Sequence, residues 1–215
     1  MNNTAITVHN LTKTFKNSVL FENVSFQLEK GQIYGFIGHN GSGKSVLFKM
    51  ICGFLRPTSG TIEVFGKKIG KEVDFPEDTG VIIETPGFLE SYSAIQNLKY
   101  LAGIRNIISL EEMQAVLSKV DLDYSSRQPV KKFSLGMRQR LGIAQAIMEK
   151  PKLLILDEPF NGLDKQGVEK IRSLLLELKE AGTTILLTSH MNEDIMILCD
   201  DVYEFSNKRL EKIEK

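Results

Sequence analysis

Apolar and polar positions alternate through roughly residues 4–30. Ile6 and Val8 stand two apart, and Val24, Phe26 and Leu28 repeat the step. A period of two puts alternate side chains on one face of a strand, so this stretch predicts β-strands with one covered face. Ile33–Ile37 is a short apolar run that ends in a Gly-rich turn, and after it the period changes. Val46, Leu47, Met50 and Ile51 fall on one face of a helix. Thr61–Phe65 predicts another strand.

From about 88 to 148 strand signals are weak and helical spacing takes over, as in Met113, Val116, Leu117 and Val120. Leu153–Leu156 and Ile185–Leu187 are continuously apolar, the pattern of parallel strands covered on both faces. Between them Val168, Ile171, Leu174, Leu175 and Leu178 mark a helix that Gly182 stops. Strand–helix–strand order predicts an α/β core with right-handed crossovers. No internal repeat, low-complexity tract or Gly/Ser linker interrupts this order. Residues 1–215 therefore read as one folding unit, with the helical stretch inserted in it.

Composition narrows the classes. Hydrophobic residues make up 42% and charged residues 25%, ordinary globular usage that can bury a core. The formal net charge is +0, which weighs against a nucleic-acid-binding protein, since such domains carry a basic surplus. Cys52 and Cys199 sit in apolar stretches, outside any CxxC or Cys/His cluster. They read as reduced core cysteines, which fits a reducing cytoplasm. The N-terminal residues show no signal peptide. No apolar run approaches the ~20 residues that span a bilayer, so a role in membrane transport requires the path to come from another polypeptide.

The chemistry concentrates at strand ends. Gly38-His39-Asn40-Gly41-Ser42-Gly43-Lys44-Ser45 fits GxxxxGK[ST], the Walker A motif, after a predicted strand and before a predicted helix. Glycines let the backbone curl so that successive N–H groups point at phosphate oxygens, and the helix start adds partial positive charge. Lys44 is placed for the β- and γ-phosphates and Ser45 for Mg²⁺. The nucleotide-binding run extends to Val46 at the start of the helix. Leu153–Leu156 then delivers Asp157 and Glu158 at a strand's C-terminal end, where open α/β sheets bind ligands. Asp157 suits the Mg²⁺ shell. Strand alternation would turn Glu158 elsewhere, toward an attacking water. Together the two motifs predict a P-loop NTPase that uses Mg²⁺.

Three further segments narrow this to a family. Phe133-Ser134-Leu135-Gly136-Met137-Arg138-Gln139-Arg140 resembles the LSGGQ signature of ABC-transporter ATPases. Asn161-Gly162-Leu163-Asp164 looks like their D-loop, and Thr188-Ser189-His190 like their switch histidine. The resemblance covers nearly the whole chain. It implies a RecA-like P-loop core with an N-terminal antiparallel β subdomain and a helical signature subdomain. It also implies two ATPase domains closing head to tail, as a homo- or heterodimer, with ATP between one Walker A and the partner's signature. Ser134 and the Gly136 backbone would meet the partner's γ-phosphate. Ser134 also suits an N-cap for the helix through Leu141, Ala144, Ile147 and Met148. His190 would contact the γ-phosphate and Asp164 would join the nucleotide site. His39 contributes as part of the loop, and neither its imidazole nor that of His9 has a separate role. Phe15 is placed like the aromatic that stacks on adenine, with a plain core position as the alternative.

The chain departs from the family in two places. Leu135 and Met137 replace the common Gly and Gln of the signature, which should weaken contact with the partner's ribose. Glu84, in Val81-Ile82-Ile83-Glu84, stands where the family has its Q-loop glutamine. A Glu there resembles exporters of bacteriocins, lantibiotics and bacitracin-like peptide antibiotics, and a carboxylate can ligate Mg²⁺. The apolar Pro86–Leu89 that follows reads either as a docking surface for a multi-span membrane permease or as internal packing. The expected setting is cytoplasmic, peripheral on the inner face of the cell membrane. The tail beyond Val202–Phe205 is short, and no added regulatory domain is expected in it. A non-transport ABC ATPase acting on ribosomes or DNA is the alternative. It is disfavoured by the presence of one cassette and by the lack of sustained heptads between Lys44 and Asp157.

Overall fold

A computed structural model describes residues 3–16 and 18–214. The alternating N-terminal segment forms two long strands, β1 (Thr4–Phe15) and β2 (Ser18–Glu29), paired antiparallel. Ala5, Ile6, Val8 and Leu11 of β1 and Phe21, Val24 and Leu28 of β2 are buried. The expected N-terminal sheet is not confined to the N-terminus. Strands β4 (Ser59–Val64) and β5 (Lys67–Lys68) follow the first helix and complete the order β2-β1-β4-β5. Pairing across some 50 residues of chain leaves no trace in local periodicity.

The second sheet holds the fully apolar runs. Strands β3 (Ile33–Ile37), β6 (Thr79–Ile82), β7 (Leu153–Leu156) and β8 (Thr184–Leu187) are joined by β9 (Asp201–Ser206) and β10 (Arg209–Ile213). The order is β10-β9-β3-β8-β7-β6, parallel except for the antiparallel β9–β10 pair. Every residue of β7 and β8 is buried, as continuous apolarity predicts.

Two hydrophobic clusters cover the two faces of this sheet. On one side the antiparallel sheet and α1 (Lys44–Ile51) pack Phe21, Phe36, Phe48 and Tyr34. Cys52 lies in this cluster, and burial pushes its thiol pKa up to about 12, so it is an inert core group. On the other side pack α2 (Ala94–Arg105), α3 (Leu110–Lys119), α4 (Leu135–Ile147), α5 (Lys165–Glu180) and the short α6 (Asn192–Leu198). The first three helices occupy the stretch expected to be helical. Ser134 caps α4, its Oγ accepting from Met137 N at 3.2 Å. Gly182, with φ +95°, ends the α5 turn as expected. Pro86 packs against Gly142 of α4 and Phe88 against the helical cluster, while Leu89 is exposed.

Candidate functional site

Strands β3, β8 and β7 are adjacent, and each ends at the same edge of the sheet with a chemical segment attached. After β3 the chain curls through 38–43 and enters α1, whose first turn carries no acidic residue. An anion at this helix start therefore meets N–H groups and the positive dipole end with no competing carboxylate. Gly43 is at φ +115°, and a Cβ there would stand 2.8 Å from Cδ1 of the buried Phe21. The hairpin and the loop thus constrain one another. Lys44 is buried, with Nζ donating to Gly38 O at 2.7 Å and His39 O at 3.2 Å, so its ammonium lies back over its own loop.

The acidic pair is held by hydroxyls. Ser45 Oγ donates to Asp157 Oδ2 at 2.5 Å, and Thr188 Oγ1 donates to Asp157 Oδ1 at 2.8 Å. The same Thr188 hydroxyl accepts from Glu158 N at 2.9 Å. Thr188 is fully buried at the end of β8, and its role was not legible as more than part of a motif. Strand alternation is not what separates the two carboxylates. β7 ends at Leu156, and Glu158 turns away through a left-handed φ of +53°. Gln139 of α4 holds that turn, Nε2 donating to Glu158 O at 3.3 Å and Pro159 O at 3.0 Å.

Glu158 faces His190. Its Oε2 accepts from His190 N at 3.2 Å, and its Oε1 lies 3.3 Å from His190 Nε2. Burial raises the Glu158 pKa above the ordinary carboxylate range, and the neighbouring His190 pulls it partly back. Ser42 Oγ is buried without a hydrogen-bond partner, and Glu158 Oε1 has only the His190 ring nearby, at 3.3 Å. A buried polar atom left unpartnered costs about 1–3 kcal/mol, so Ser42 Oγ marks a place for an incoming polar group.

A cleft of about 210 Å³ collects Asn40, Gly41, Gly43, Lys44, Ser45 and Val46 on one side and Asp157, Glu158 and His190 on the other. Leu20 of β2 also lines it, a contribution without a local sequence signal. The ring Nδ1 of His39 bonds Asn40 O at 2.8 Å and stays with the loop. Gly38, His39 and Ser42 belong to the loop without lining this cleft, and Phe15, Glu84, Ser134, Gly136 and Asp164 are not brought to it. Phe15 is 46% exposed, with Lys13 Nζ 4.7 Å from its ring centroid. Glu84 pairs with Lys49 at 2.5 Å, one helical turn beyond Ser45. Ser134 and Gly136 sit at the start of α4, and Asp164 caps α5, accepting from Gly167 N at 2.9 Å.

Among the described residues no group of three or more His, Cys, Asp or Glu side chains could cage a metal ion. The donor set at Ser45 and Asp157 nonetheless fits Mg²⁺, which takes hard oxygens from few protein groups and completes its shell with phosphates and water.

A curled Gly-rich loop under a buried lysine, a helix start free of acid, and a strand-end carboxylate bonded to the loop's serine define a P-loop nucleotide-hydrolase fold and site. The family model described as ABC transporter matches residues 21–161, and the chain belongs to that family as an ABC ATPase, the ATP-binding subunit of a transporter. It is 46% identical over 210 residues to the "Uncharacterized ABC transporter ATP-binding protein YybJ" of Bacillus subtilis (strain 168), covering 98% of this chain and 96% of that one. It is 41% identical to the bacitracin transport ATP-binding protein BcrA of Enterococcus faecalis, covering 91% of this chain and 64% of that one. With the lantibiotic transport ATP-binding protein SrtF of Streptococcus pyogenes it shares 38% identity, covering 90% and 83%. A solved ATP-binding subunit of an ABC transporter superposes with a TM-score of 0.86 at 29% identity, covering 97% of this chain and 89% of that one.

Proposed function

We propose that this chain drives an exporter of peptide antibiotics, bacteriocins or drugs. It would work as one of two ATPase domains closed head to tail beneath a multi-span permease, on the inner face of the cell membrane. The observation that carries the catalytic part is the single cleft holding Lys44, Ser45, Asp157, Glu158 and His190. The cargo class rests on the relatives named for bacitracin and lantibiotic transport. No helix among the described residues is long and apolar enough to cross a membrane, and in this reading a permease partner supplies the path.

In this reading ATP lies with its phosphates over the loop from Gly38 to Val46. Lys44 leaves its loop carbonyls for the β- and γ-phosphates. Ser45 and Asp157 would hold Mg²⁺, which when bound would neutralise phosphate charge. Glu158 accepts a proton from the attacking water while the new O–P bond forms and the β–γ bridge breaks, releasing ADP and phosphate. His190 holds the far side of the γ-phosphate. Ser134 and Gly136 serve the partner's nucleotide. Glu84, now paired with Lys49, would serve the ion, and Phe15, now beside Lys13, would stack on adenine.

The test is to recover tagged Glu158→Gln protein with ATP from solubilised membranes of its native cell. Co-recovery of a multi-span membrane protein is the expected result, and its identity leads to the cargo. Recovery with ribosomes or DNA alone overturns transport and leaves the ATPase chemistry in place.

A further inference from the structure

Behind His190 lies a buried ion pair, Arg172 with Asp194, that the proposed hydrolysis does not use. Arg172, in the middle of α5, donates from Nε and Nη2 to Asp194 Oδ1 at 2.9 and 2.6 Å. Arg172 is 5% exposed and Asp194 1%. The other carboxylate oxygen, Asp194 Oδ2, accepts from Ser189 Oγ at 2.7 Å, and that hydroxyl accepts in turn from Met191 N at 3.1 Å. Ser189 and Met191 flank His190. The three-residue turn that presents His190 to Glu158 is therefore closed on one hydroxyl, and that hydroxyl is fixed to the ion pair. Two exposed carboxylates complete the charge around Arg172. Glu169 Oε1 lies 3.2 Å and Glu193 Oε1 3.4 Å from Nη1.

Stability alone is a poor reason for this arrangement. Removing two charges from water costs about as much as their attraction returns, and apolar side chains of similar volume would hold α5 and α6 together as well. What an ion pair with further hydrogen bonds supplies is a fixed direction. The frame is shared with the opposite side of the site. The cap of α5, Asp164, accepts from Arg140 of α4 at 3.2 Å, and the next residue back, Gln139, holds the Glu158 turn. The backbones that carry Glu158 and His190 are thus both referenced to α4 and α5.

We infer that Arg172 and Asp194 are positioning residues for ATP hydrolysis, setting through Ser189 the distance and angle at which His190 meets Glu158. The inference rests on the proposal that Glu158 and His190 act together in hydrolysis.

The experiment uses the full chain with Asp194→Asn, Arg172→Met, Arg172→Lys and the double change Arg172→Met/Asp194→Asn. The double variant leaves no buried unpaired charge, so it keeps the test alive where a single change misfolds. A fluorescent ATP analogue counts binding-competent sites and gives Kd, and kcat is expressed per competent site. Kd is expected to stay within about two-fold of wild type. The rate should fall about ten-fold in Arg172→Met and in the double variant, as small displacements of reacting groups do, with partial recovery in Arg172→Lys. In a His190→Ala background the same changes should cost under about two-fold more, because they act through His190. A wild-type kcat per competent site, with only the competent fraction reduced, makes the pair structural and overturns the inference. A full further loss in the His190→Ala background overturns it too. A wild-type rate for His190→Ala alone overturns the underlying site reading, and the inference falls with it.

Discussion

At Glu158, burial and a facing histidine act on one carboxyl in opposite directions, and burial dominates, raising its pKa. A carboxyl with a raised folded pKa favours the fold when protonated. Its cost is therefore small below the unfolded value of ~4.3, grows as the pH climbs toward the folded value, and is full above that. Glu158→Gln should melt about 2 °C higher than wild type near pH 7.5, with the gain shrinking as the pH falls toward 4. Melting curves across that range check it, and a pH-independent gain would remove burial as the cause. The same variant should keep ATP affinity and lose about 100-fold or more in kcat, since a proton acceptor is gone. Much at this scale was legible from the chain. Lys44, Ser45 and Asp157 follow from motif and spacing, and Ser134 from its place before a helix. The left-handed turn at Glu158, the double use of the Thr188 hydroxyl and the Lys49–Glu84 pair were not, because each depends on which strand or helix lies beside it.

The position of α4 matters beyond its own packing, since it carries Ser134 at its start and Gln139 against the Glu158 turn. It lies directly on β6. A Cβ built at Gly80 would stand 1.9 Å from Ala146 O, too close for any side chain. Gly80→Ala must push the helix off the strand, and overpacking of this kind costs about 2–3 kcal/mol. Urea unfolding should show that loss. Because the shift also loosens Gln139, kcat per folded molecule should fall as well. A stability loss with unchanged kcat would mean that Gln139 does not position Glu158. Elements differed in how far the sequence revealed them. β3, β7 and β8 announce themselves by continuous apolarity, and α5 by its stripe and Gly182. The sheet membership of β4 and β5, and the pairing of β9 with β3, join segments far apart in the chain and leave no local pattern.

For the whole molecule, the decisive geometry is that the signature lies outside the chain's own cleft. Ser134 is exposed and Gly136 sits beside it at the start of α4, while Lys44 and Glu158 face a different space. A helix start of this kind binds phosphate only if another molecule brings it. Two identical copies carry the same net charge of +0 and gain no net-charge attraction, and in the proposed head-to-tail pair ATP would complete the interface. The proposed head-to-tail pair would make two composite sites, each using Lys44 of one copy and Ser134 of the other. Lys44→Ala alone and Ser134→Arg alone should each be inactive, because every site in either dimer carries a defect. Mixed together, they form heterodimers in which one site holds both defects and the other holds none. ATPase activity should then return to about a quarter of wild type at equal mixing, half the dimers having one of two sites intact. A site complete within one chain predicts no recovery at any ratio. The titration thus decides between a self-sufficient ATPase and a motor whose catalytic unit is the dimer.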